Sequence, residues 1–207
     1  MDPSFLAKSA RHITLASALI LIAGCAPTKK TPSPLPSPPR PSSTSQCPPK
    51  YPQHFVDATQ GYSICLPANV HQTSTDQLHA SHSTDQFPAD HVEFTGFSVP
   101  AGTNLTRKNL TVRPDEDEYN LQNSTPFGQL TVGGVTFQRM TGGEASLGHF
   151  DEHIVYLWTH AGKNLYFDFG LHSVQPGIIG PPMPARFNEP AQVKITEEIM
   201  KTFRPLN

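Results

Sequence analysis

The sequence predicts an α+β domain, in which an antiparallel β-sheet built from hairpins is covered by helix, including an amphipathic helix at the C-terminus. Two pairs of segments rich in β-forming residues surround short glycine-containing turns, a pattern typical of β-hairpins. The last segment instead repeats its apolar residues every four positions, which indicates a helix. Strands followed by one closing helix favour the α+β class.

The first predicted hairpin joins strands at 129–132 and 135–140. Gly133 and Gly134 lie between them, and two glycines supply the positive φ angles that a two-residue hairpin turn requires. The pair Gly142-Gly143 follows closely, and we expect it to break the second strand.

The second predicted hairpin joins 153–159 to 165–171 through a turn at 161–164. Both segments are rich in aromatic and β-branched residues, which favour strands. Three further strands are predicted at 61–66, 91–99 and 109–113. Between them we expect a loop or weak helix at 68–88 and a short acidic helix at 115–123.

The C-terminal helix is predicted to begin at Pro190, because proline is well suited to the first turn of a helix. Its buried stripe is expected to contain Ile195, Ile199 and Phe203, with Met200 beside them, and Pro205 is expected to end it.

A long loop is predicted at 173–188, where proline and glycine interrupt any regular pattern. It contains Ile178, Ile179 and Met183, which are unfavourable to expose in a group. Two interpretations stay open: these side chains contact a partner, or they fold back onto the domain.

The N-terminus has the features of an export signal. Lys8 and Arg11 precede an uncharged apolar run at 13–23, which is too short to span a bilayer but fits a signal peptide. The residues IAGC at 22–25 resemble the bacterial lipobox. The resemblance implies cleavage before Cys25 and attachment of fatty chains, such as palmitate, to that cysteine. An ordinary signal peptide with an incidental cysteine is the alternative.

The segment that follows Cys25 is dense in proline and serine as far as residue 50. Such a segment stays extended and has little to bury, so we expect a tether at 25–50. The predicted organisation is a lipoprotein signal peptide at 1–24, the lipidated tether, and a single α+β globular domain at 51–207.

The cysteines and the charge limit the possible functions. With Cys25 assigned to lipid, Cys47 and Cys65 form an even pair in an oxidising compartment, where we expect a disulfide rather than two free thiols.

The net charge of −2 gives no basic field that would attract nucleic acid.

One segment matches a metalloenzyme motif. His149-Phe-Asp-Glu-His153 fits the zinc-peptidase pattern H-x-x-E-H, which requires a helix that holds both histidines on one side. The flanking residues favour a strand instead, which would put His149, Asp151 and His153 on one face and Glu152 on the other. We therefore expect no metal, although these three residues are the candidate ligands if one binds.

The aromatic residues of the second hairpin have two interpretations. They either form the core face of the sheet or line a cleft for a small ligand; they are Tyr156, Trp158, Tyr166, Phe167 and Phe169.

Several runs resemble exported bacterial proteins with a PsbP-like domain. They are GYSICLP at 61–67, GGVTFQRMTGGEAS at 133–146, YLWTHAGKNLYFDFGLHS at 156–173 and EEIMKTFRPL at 197–206. The resemblance covers 55–206 and implies a binding or assembly scaffold without a shared active site. The long proline-rich loop departs from the family pattern.

The function expected from the sequence is therefore an envelope lipoprotein with a non-catalytic binding or assembly domain. It would be anchored in the bilayer through Cys25, in the outer membrane and facing the periplasm, with an envelope protein as partner and no cofactor. The alternatives are a metal-dependent hydrolase that uses 149–153, or a small-ligand carrier or inhibitor.

Overall fold

A computed structural model describes residues 47–73, 91–114 and 124–206, which belong to one compact unit at 44–207. The strands are β1 Gln53–Asp57, β2 Tyr62–Leu66, β3 His71–Gln72, β4 Val92–Thr95, β5 Leu105–Pro114, β6 Thr125–Val132, β7 Val135–Ser146, β8 His149–His160, β9 Lys163–Val174 and β10 Arg204–Pro205. The helices are α1 Pro176–Ile179 and α2 Glu189–Met200. Within these ranges no helix has the length and apolar character needed to cross a bilayer.

The strands form two antiparallel sheets. The large sheet has the order β3-β4-β5-β9-β8-β7-β6, and the small sheet has the order β1-β2-β10. The antiparallel sheet is therefore confirmed, but the described part of the chain is richer in strand and poorer in helix than the sequence suggested.

The first predicted hairpin is confirmed. Val132 pairs with Val135, and Gly133 and Gly134 form the turn with φ angles of 57° and 84°. Positive φ at both turn residues gives the tight reversal that matches the twist of the flanking strands.

The second hairpin is longer than predicted and its turn is shorter. His160 pairs with Lys163, so the turn consists of Ala161 and Gly162 alone, both at positive φ.

The expected break at Gly142-Gly143 is wrong, because β7 continues through both residues to Ser146. Gly142 pairs with His153 and Gly143 pairs with Glu152. A Cβ atom at Gly143 would lie 2.9 Å from the backbone oxygen of Asp151. A glycine at this position therefore permits a close approach of two strands.

Two predicted strands have different bounds in the structure. The strand predicted at 91–99 ends at Thr95, because Gly96 adopts a φ of 89°. The strand predicted at 109–113 extends over Leu105–Pro114, because β9 pairs with most of its length.

Helix α2 begins as predicted but ends earlier. Asn188 caps it by accepting a hydrogen bond from the Ala191 backbone N–H, and Met200 is its last residue. Phe203 is fully buried although it lies beyond the helix. The buried residues of the helix include the polar pair Gln192 and Thr196, which were not expected.

The main core lies on one face of the large sheet, here called the inner face. A smaller buried cluster of Met140, Val155 and Tyr166 lies on the opposite, outer face. Phe167 on β9 and Phe137 on β7 contact Phe203 edge-to-face, and Tyr62 of the small sheet contacts Phe167 in the same way. Phe203, with no exposed surface, lies at the centre of these rings.

Some predictions fall outside the described residues. These are the signal peptide at 1–24, lipidation at Cys25, the tether as far as residue 46, the segment 74–88 and the acidic helix at 115–123.

Candidate functional site

The start of the described chain is fastened to the fold by a disulfide. Cys47 and Cys65 are bonded with an S–S distance of 2.08 Å and a Cα–Cα distance of 5.7 Å. The Tyr51 hydroxyl donates to Glu198 Oε2 at 3.0 Å, and Lys50 forms an ion pair with the same carboxylate. The last residues of the predicted tether, 47–50, are therefore attached to strand β2 and helix α2.

A cleft of about 330 Å³ lies beside this disulfide. Its lining residues are Pro48, Lys50, Tyr51, Cys65, Glu198, Lys201, Thr202 and Arg204. Arg204 donates to the backbone oxygens of Lys201 and Phe203, so its charge complements carbonyls just after the end of α2. The aromatic residues predicted for a ligand cleft do not line it. Tyr156, Trp158, Phe167 and Phe169 lie in the main core, and Tyr166 lies in a separate buried cluster with Met140 and Val155.

Four exposed apolar side chains form the apolar patch: Leu147, Ile178, Ile179 and Met183. Their exposed fractions are 94%, 54%, 48% and 70%. Leu147 lies in the β7–β8 turn, Ile178 and Ile179 end α1, and Met183 lies in the loop that follows. No residue of α1 is buried, although Ile178 contacts Gly148, and both isoleucines keep about half of their surface exposed.

One hydrogen bond and one side-chain contact join the two segments of the apolar patch. The Gln175 backbone N–H donates to the Gly148 oxygen at 2.8 Å, and Ile178 lies directly against Gly148. Gly148 has a φ of 81°, a conformation that residues with a side chain rarely adopt, so a glycine is favoured there.

Asn104 holds both ends of the segment that carries Met183. Its Nδ2 donates to the Val174 oxygen at 3.0 Å, and its Oδ1 accepts from the Phe187 N–H at 2.9 Å. Asn104 is only 4% exposed, so this buried amide fixes a surface segment from below. The patch is therefore presented on a hydrogen-bonded frame.

The H-x-x-E-H motif lies on a strand, β8, and its residues alternate between the two faces of the sheet. His149, Asp151 and His153 lie on the outer face, opposite the core, and Glu152 lies on the inner side. In the described ranges, no group of three or more His, Cys, Asp or Glu residues is arranged to hold a metal. The helical geometry that the peptidase reaction needs is therefore not formed here.

His149 and Asp151 form a chain of hydrogen bonds with a histidine from β9. His172 Nδ1 lies 2.6 Å from Asp151 Oδ1, and His172 Nε2 lies 3.2 Å from His149 Nδ1. A carboxylate accepts only, so His172 carries its proton on Nδ1 and presents an unprotonated Nε2 when it is neutral.

His153 belongs to a separate group. Its Nδ1 donates to Asp168 Oδ1 at 2.9 Å, and Arg113 Nη2 lies 3.6 Å from Asp168 Oδ2. The hydrogen bond that His153 donates to Asp168 raises the pKa of His153 above its ordinary value, although burial acts in the opposite direction. The structure therefore separates the two histidines of the motif into different networks.

Glu152 is in an unfavourable position for a charged group. Its Oε2 atom is buried and has no hydrogen-bond partner in the described part of the chain. Burial, and secondarily the nearby charge of Glu189, raises the pKa of this carboxyl.

Lys108 is the one lysine on the core-facing row of β5, where its neighbours in the row are Leu110 and Val112. It is 9% exposed, and burial lowers the pKa of its amine. No feature described around it indicates a substrate.

Sequence reasoning missed several of these residues. No sequence pattern distinguishes Leu147 as an exposed apolar residue in a turn, and none distinguishes Asn104 as a buried amide that joins two segments. His172 and Asp168 are far from the motif in sequence, and only the pairing of β8 with β9 brings them to it.

Comparisons with known proteins found similarity at the level of fold. No family model and no curated protein matches the chain. Among solved structures it is similar to a Bacteroides thetaiotaomicron VPI-5482 protein, with 8% identity and a TM-score of 0.38, over 70% of this chain and 45% of that one. The chain thus spans less than half of that protein.

Two further structures are of the protein Mog1. A Mog1 point mutant has 10% identity and a TM-score of 0.45, over 75% of this chain and 96% of that one. The Saccharomyces cerevisiae Ran-binding protein Mog1p has 9% identity and a TM-score of 0.43, over 75% of this chain and 95% of that one. Similarity at these levels supports no functional statement.

Proposed function

We propose that this protein is a bacterial envelope lipoprotein whose globular domain binds a protein partner through the apolar patch and performs no catalysis. The single observation that supports this proposal is the exposure of Leu147, Ile178, Ile179 and Met183 at one end of the sheet. The partner proposed is another protein of the cell envelope.

The proposed location rests on the N-terminal sequence. The signal-like run and the IAGC residues favour acylation of Cys25, and two or more fatty chains would hold the protein firmly in a bilayer. We place the domain on the periplasmic side of the outer membrane, held away from the surface by the tether. The disulfide between Cys47 and Cys65 fits an oxidising compartment.

The composition of the apolar patch supports a protein contact. Apolar surface yields about 25 cal/mol per Å² when it is removed from water, so four exposed large side chains provide a substantial driving force. The segment 173–188 has one charged residue, Arg186, and the charged or polar side chains of Asp151 and His172 lie on the neighbouring strands. An apolar centre with a polar rim is the usual anatomy of a protein interface.

The frame beneath the apolar patch also supports binding. Asn104 and Gly148 fix the segment in one conformation before any partner arrives. A preorganised surface loses less conformational entropy on association, which raises affinity without extra contacts.

We further propose that the domain has the PsbP-like form of the α+β class, with α2 covering the inner face. Ile199 and Met200 of α2 are fully buried, and Thr196 exchanges a 2.8 Å hydrogen bond with the Tyr156 hydroxyl on β8. The long loop that contains Ile178, Ile179 and Met183 would be this chain's own addition to that form.

The two alternatives receive less support. A metal-dependent hydrolase would need Glu152 on the same side as His149 and His153, and β8 places it on the opposite side. A ligand carrier would need a cavity beside Trp158, which is packed against Phe203 in the core.

The test is site-specific photocrosslinking in intact cells. A photoreactive residue placed at Ile179 or Met183 is expected to capture the same envelope protein. A photoreactive residue at Val56, an apolar side chain 49% exposed on the edge strand β1, is the matched control and should not capture it.

A second variant makes the experiment decisive. Introducing Leu147→Asp should reduce capture from Ile179 by at least about tenfold while the domain stays folded, because a charge inside an apolar interface loses its hydration. The proposal would be overturned if Ile179, Met183 and the control Val56 all captured the same protein. It would also be overturned if neither Ile179 nor Met183 captured any protein.

A further inference from the structure

We propose that His149 and His172 form a two-imidazole site for a divalent cation of the Cu²⁺, Ni²⁺ and Zn²⁺ class, with Asp151 as the residue that orients it. The site lies on the outer face of the large sheet, on β8 and β9. It is distinct from the metal patch that the sequence motif suggested, because His153 is not part of it.

The hydrogen bond from His172 to Asp151 fixes which nitrogen of His172 can bind an ion. The 2.6 Å contact keeps the proton on His172 Nδ1 and leaves a lone pair on Nε2. Carboxylates commonly hold metal-binding histidines in this way, and they also raise the basicity of the ligating nitrogen. Asp151 therefore prepares His172 as a ligand before any ion is present.

The facing nitrogens of His172 and His149 are close enough to bind one ion together. His172 Nε2 and His149 Nδ1 are 3.2 Å apart. Two imidazole nitrogens that bind one ion at about 2.0–2.1 Å are about 2.9–3.4 Å apart for bond angles between about 90° and 110°. The pair therefore has the separation of a chelating pair without any movement of the strands.

When both histidines are neutral, His149 Nδ1–H donates to His172 Nε2. An ion would take the place of this proton, and neutral His149 would then carry its proton on Nε2, so the exchange would release no net proton. Both rings, which are now nearly parallel, would have to rotate to turn their lone pairs toward the ion.

The surrounding charges favour a cation. Arg107 pairs in register with His172, while Glu144 pairs in register with Asp151 on the other side. The two negative charges of Asp151 and Glu144 exceed the single positive charge of Arg107, so the local net charge is negative. No third histidine, cysteine or carboxylate among the described residues completes the shell, so water would supply the remaining ligands.

The ligand chemistry predicts the order of affinity. Two imidazoles suit borderline metals, and affinity for such sites rises from Ni²⁺ to Cu²⁺ and falls again at Zn²⁺. Hard cations such as Mg²⁺ and Ca²⁺ prefer oxygen ligands and are not expected to bind.

The test is a Cu²⁺ titration of the full chain in detergent, followed by calorimetry and by electron paramagnetic resonance. We expect one tight ion per chain with two nitrogen ligands. His149→Gln and His172→Gln should each weaken binding by at least about a hundredfold, and Asp151→Asn by about 10–100-fold. His153→Gln, on the same face of the same strand, is the control and should leave the affinity unchanged.

Unfolding midpoints of all four variants, measured without metal, show whether each one keeps its fold. Loss of affinity in folded His149 and His172 variants supports the proposal. The chain has ten histidines, so adventitious binding is the competing explanation. Affinity that persists in both single variants, or that falls equally in His153→Gln, would show adventitious binding only and overturn the proposal.

Discussion

The two faces of the large sheet differ in kind, although the same strands supply both. On the inner face, Phe137 and Phe167 meet Phe203 in a cluster of edge-to-face rings. On the outer face, the same stretch of β9 presents Asp168 and His172, each hydrogen-bonded to a residue of β8. Alternation along a strand is enough to put an aromatic core and a row of ionisable groups within one residue of each other.

The inner face should therefore supply most of the stability of the domain, while the outer face carries its chemically reactive groups. Rings with no exposed surface gain from their removal from water, so the inner face should dominate the free energy of unfolding. The ionisable groups of the outer face contribute less to stability, and those that remain partly exposed, such as His172 and Asp151, keep protons and lone pairs available to solvent. Four substitutions test this contrast, and they are given in decreasing order of their expected effect on stability.

The largest effect is expected from Phe203→Ala. Removing a fully buried ring that contacts Phe137, Phe167 and Trp158 should lower the free energy of unfolding by about 3–5 kcal/mol. Urea unfolding measures the loss, and Leu147→Ala, at a side chain 94% exposed, is the control with an expected change near zero. A loss below about 1 kcal/mol for Phe203→Ala would contradict the assignment of the core.

Asp168→Asn should give the next largest effect. The side chain of Asp168 is 12% exposed and serves both His153 and Arg113, so losing its charge should lower the free energy of unfolding by about 1.5–3 kcal/mol. The comparison variant is Glu144→Gln, at an exposed outer-face carboxylate. Equal effects in the two variants would mean that the Asp168 network adds no stability.

The His153 pair should make stability depend on pH. Because Asp168 raises the pKa of folded His153 above 6.5, the pair stabilises the protein fully below about pH 6.5. This contribution is lost as the pH rises through the raised pKa. The side chain is 37% exposed, so solvent screening keeps the effect below about 1 kcal/mol.

The measurement for this prediction is the free energy of unfolding at pH 5.5 and pH 8.5, in the wild type and in His153→Gln. The wild type should lose more stability than the variant between the two values. An identical change in both proteins would argue against a charged pair between His153 and Asp168.

The smallest effect is expected from Tyr62→Phe. The Tyr62 hydroxyl is fully buried and finds no hydrogen-bond partner in the part of the chain that the structure describes. Removing it should leave the stability unchanged or raise it by up to about 1 kcal/mol, because the desolvation penalty disappears. Calorimetric melting tests this, and a clear fall in melting temperature would reveal a partner for the hydroxyl.

Local patterns in the sequence predicted the parts of the fold that depend on local geometry. Gly133-Gly134 specified a turn because few other residue pairs adopt two positive φ angles easily. The same reasoning failed at Gly142-Gly143, where the glycines permit close strand contact instead of a turn. A Gly-Gly pair alone does not show whether the glycines are needed for a turn with positive φ or for the close approach of two strands.

The candidate sites are formed by strands that are distant in sequence, so the sequence alone does not show which of their residues contact each other. Alternation correctly placed His149, Asp151 and His153 on one face, with Glu152 opposite. It could not identify His172 and Asp168 as their partners, because the register between β8 and β9 is set by turn length and the shared core. Asn104 was missed for the same reason, since its partners lie 70 and 83 residues away.

The central proposal, a folded domain tethered to a bilayer through Cys25, is tested most directly by fractionating cells that express Cys25→Ala. Fatty chains hold the wild-type protein in the membrane, so it should be recovered there, while the variant should be released to the soluble fraction or persist as an uncleaved precursor. Recovery of a normally processed Cys25→Ala protein in the membrane, in the same amount as the wild type, would contradict the account.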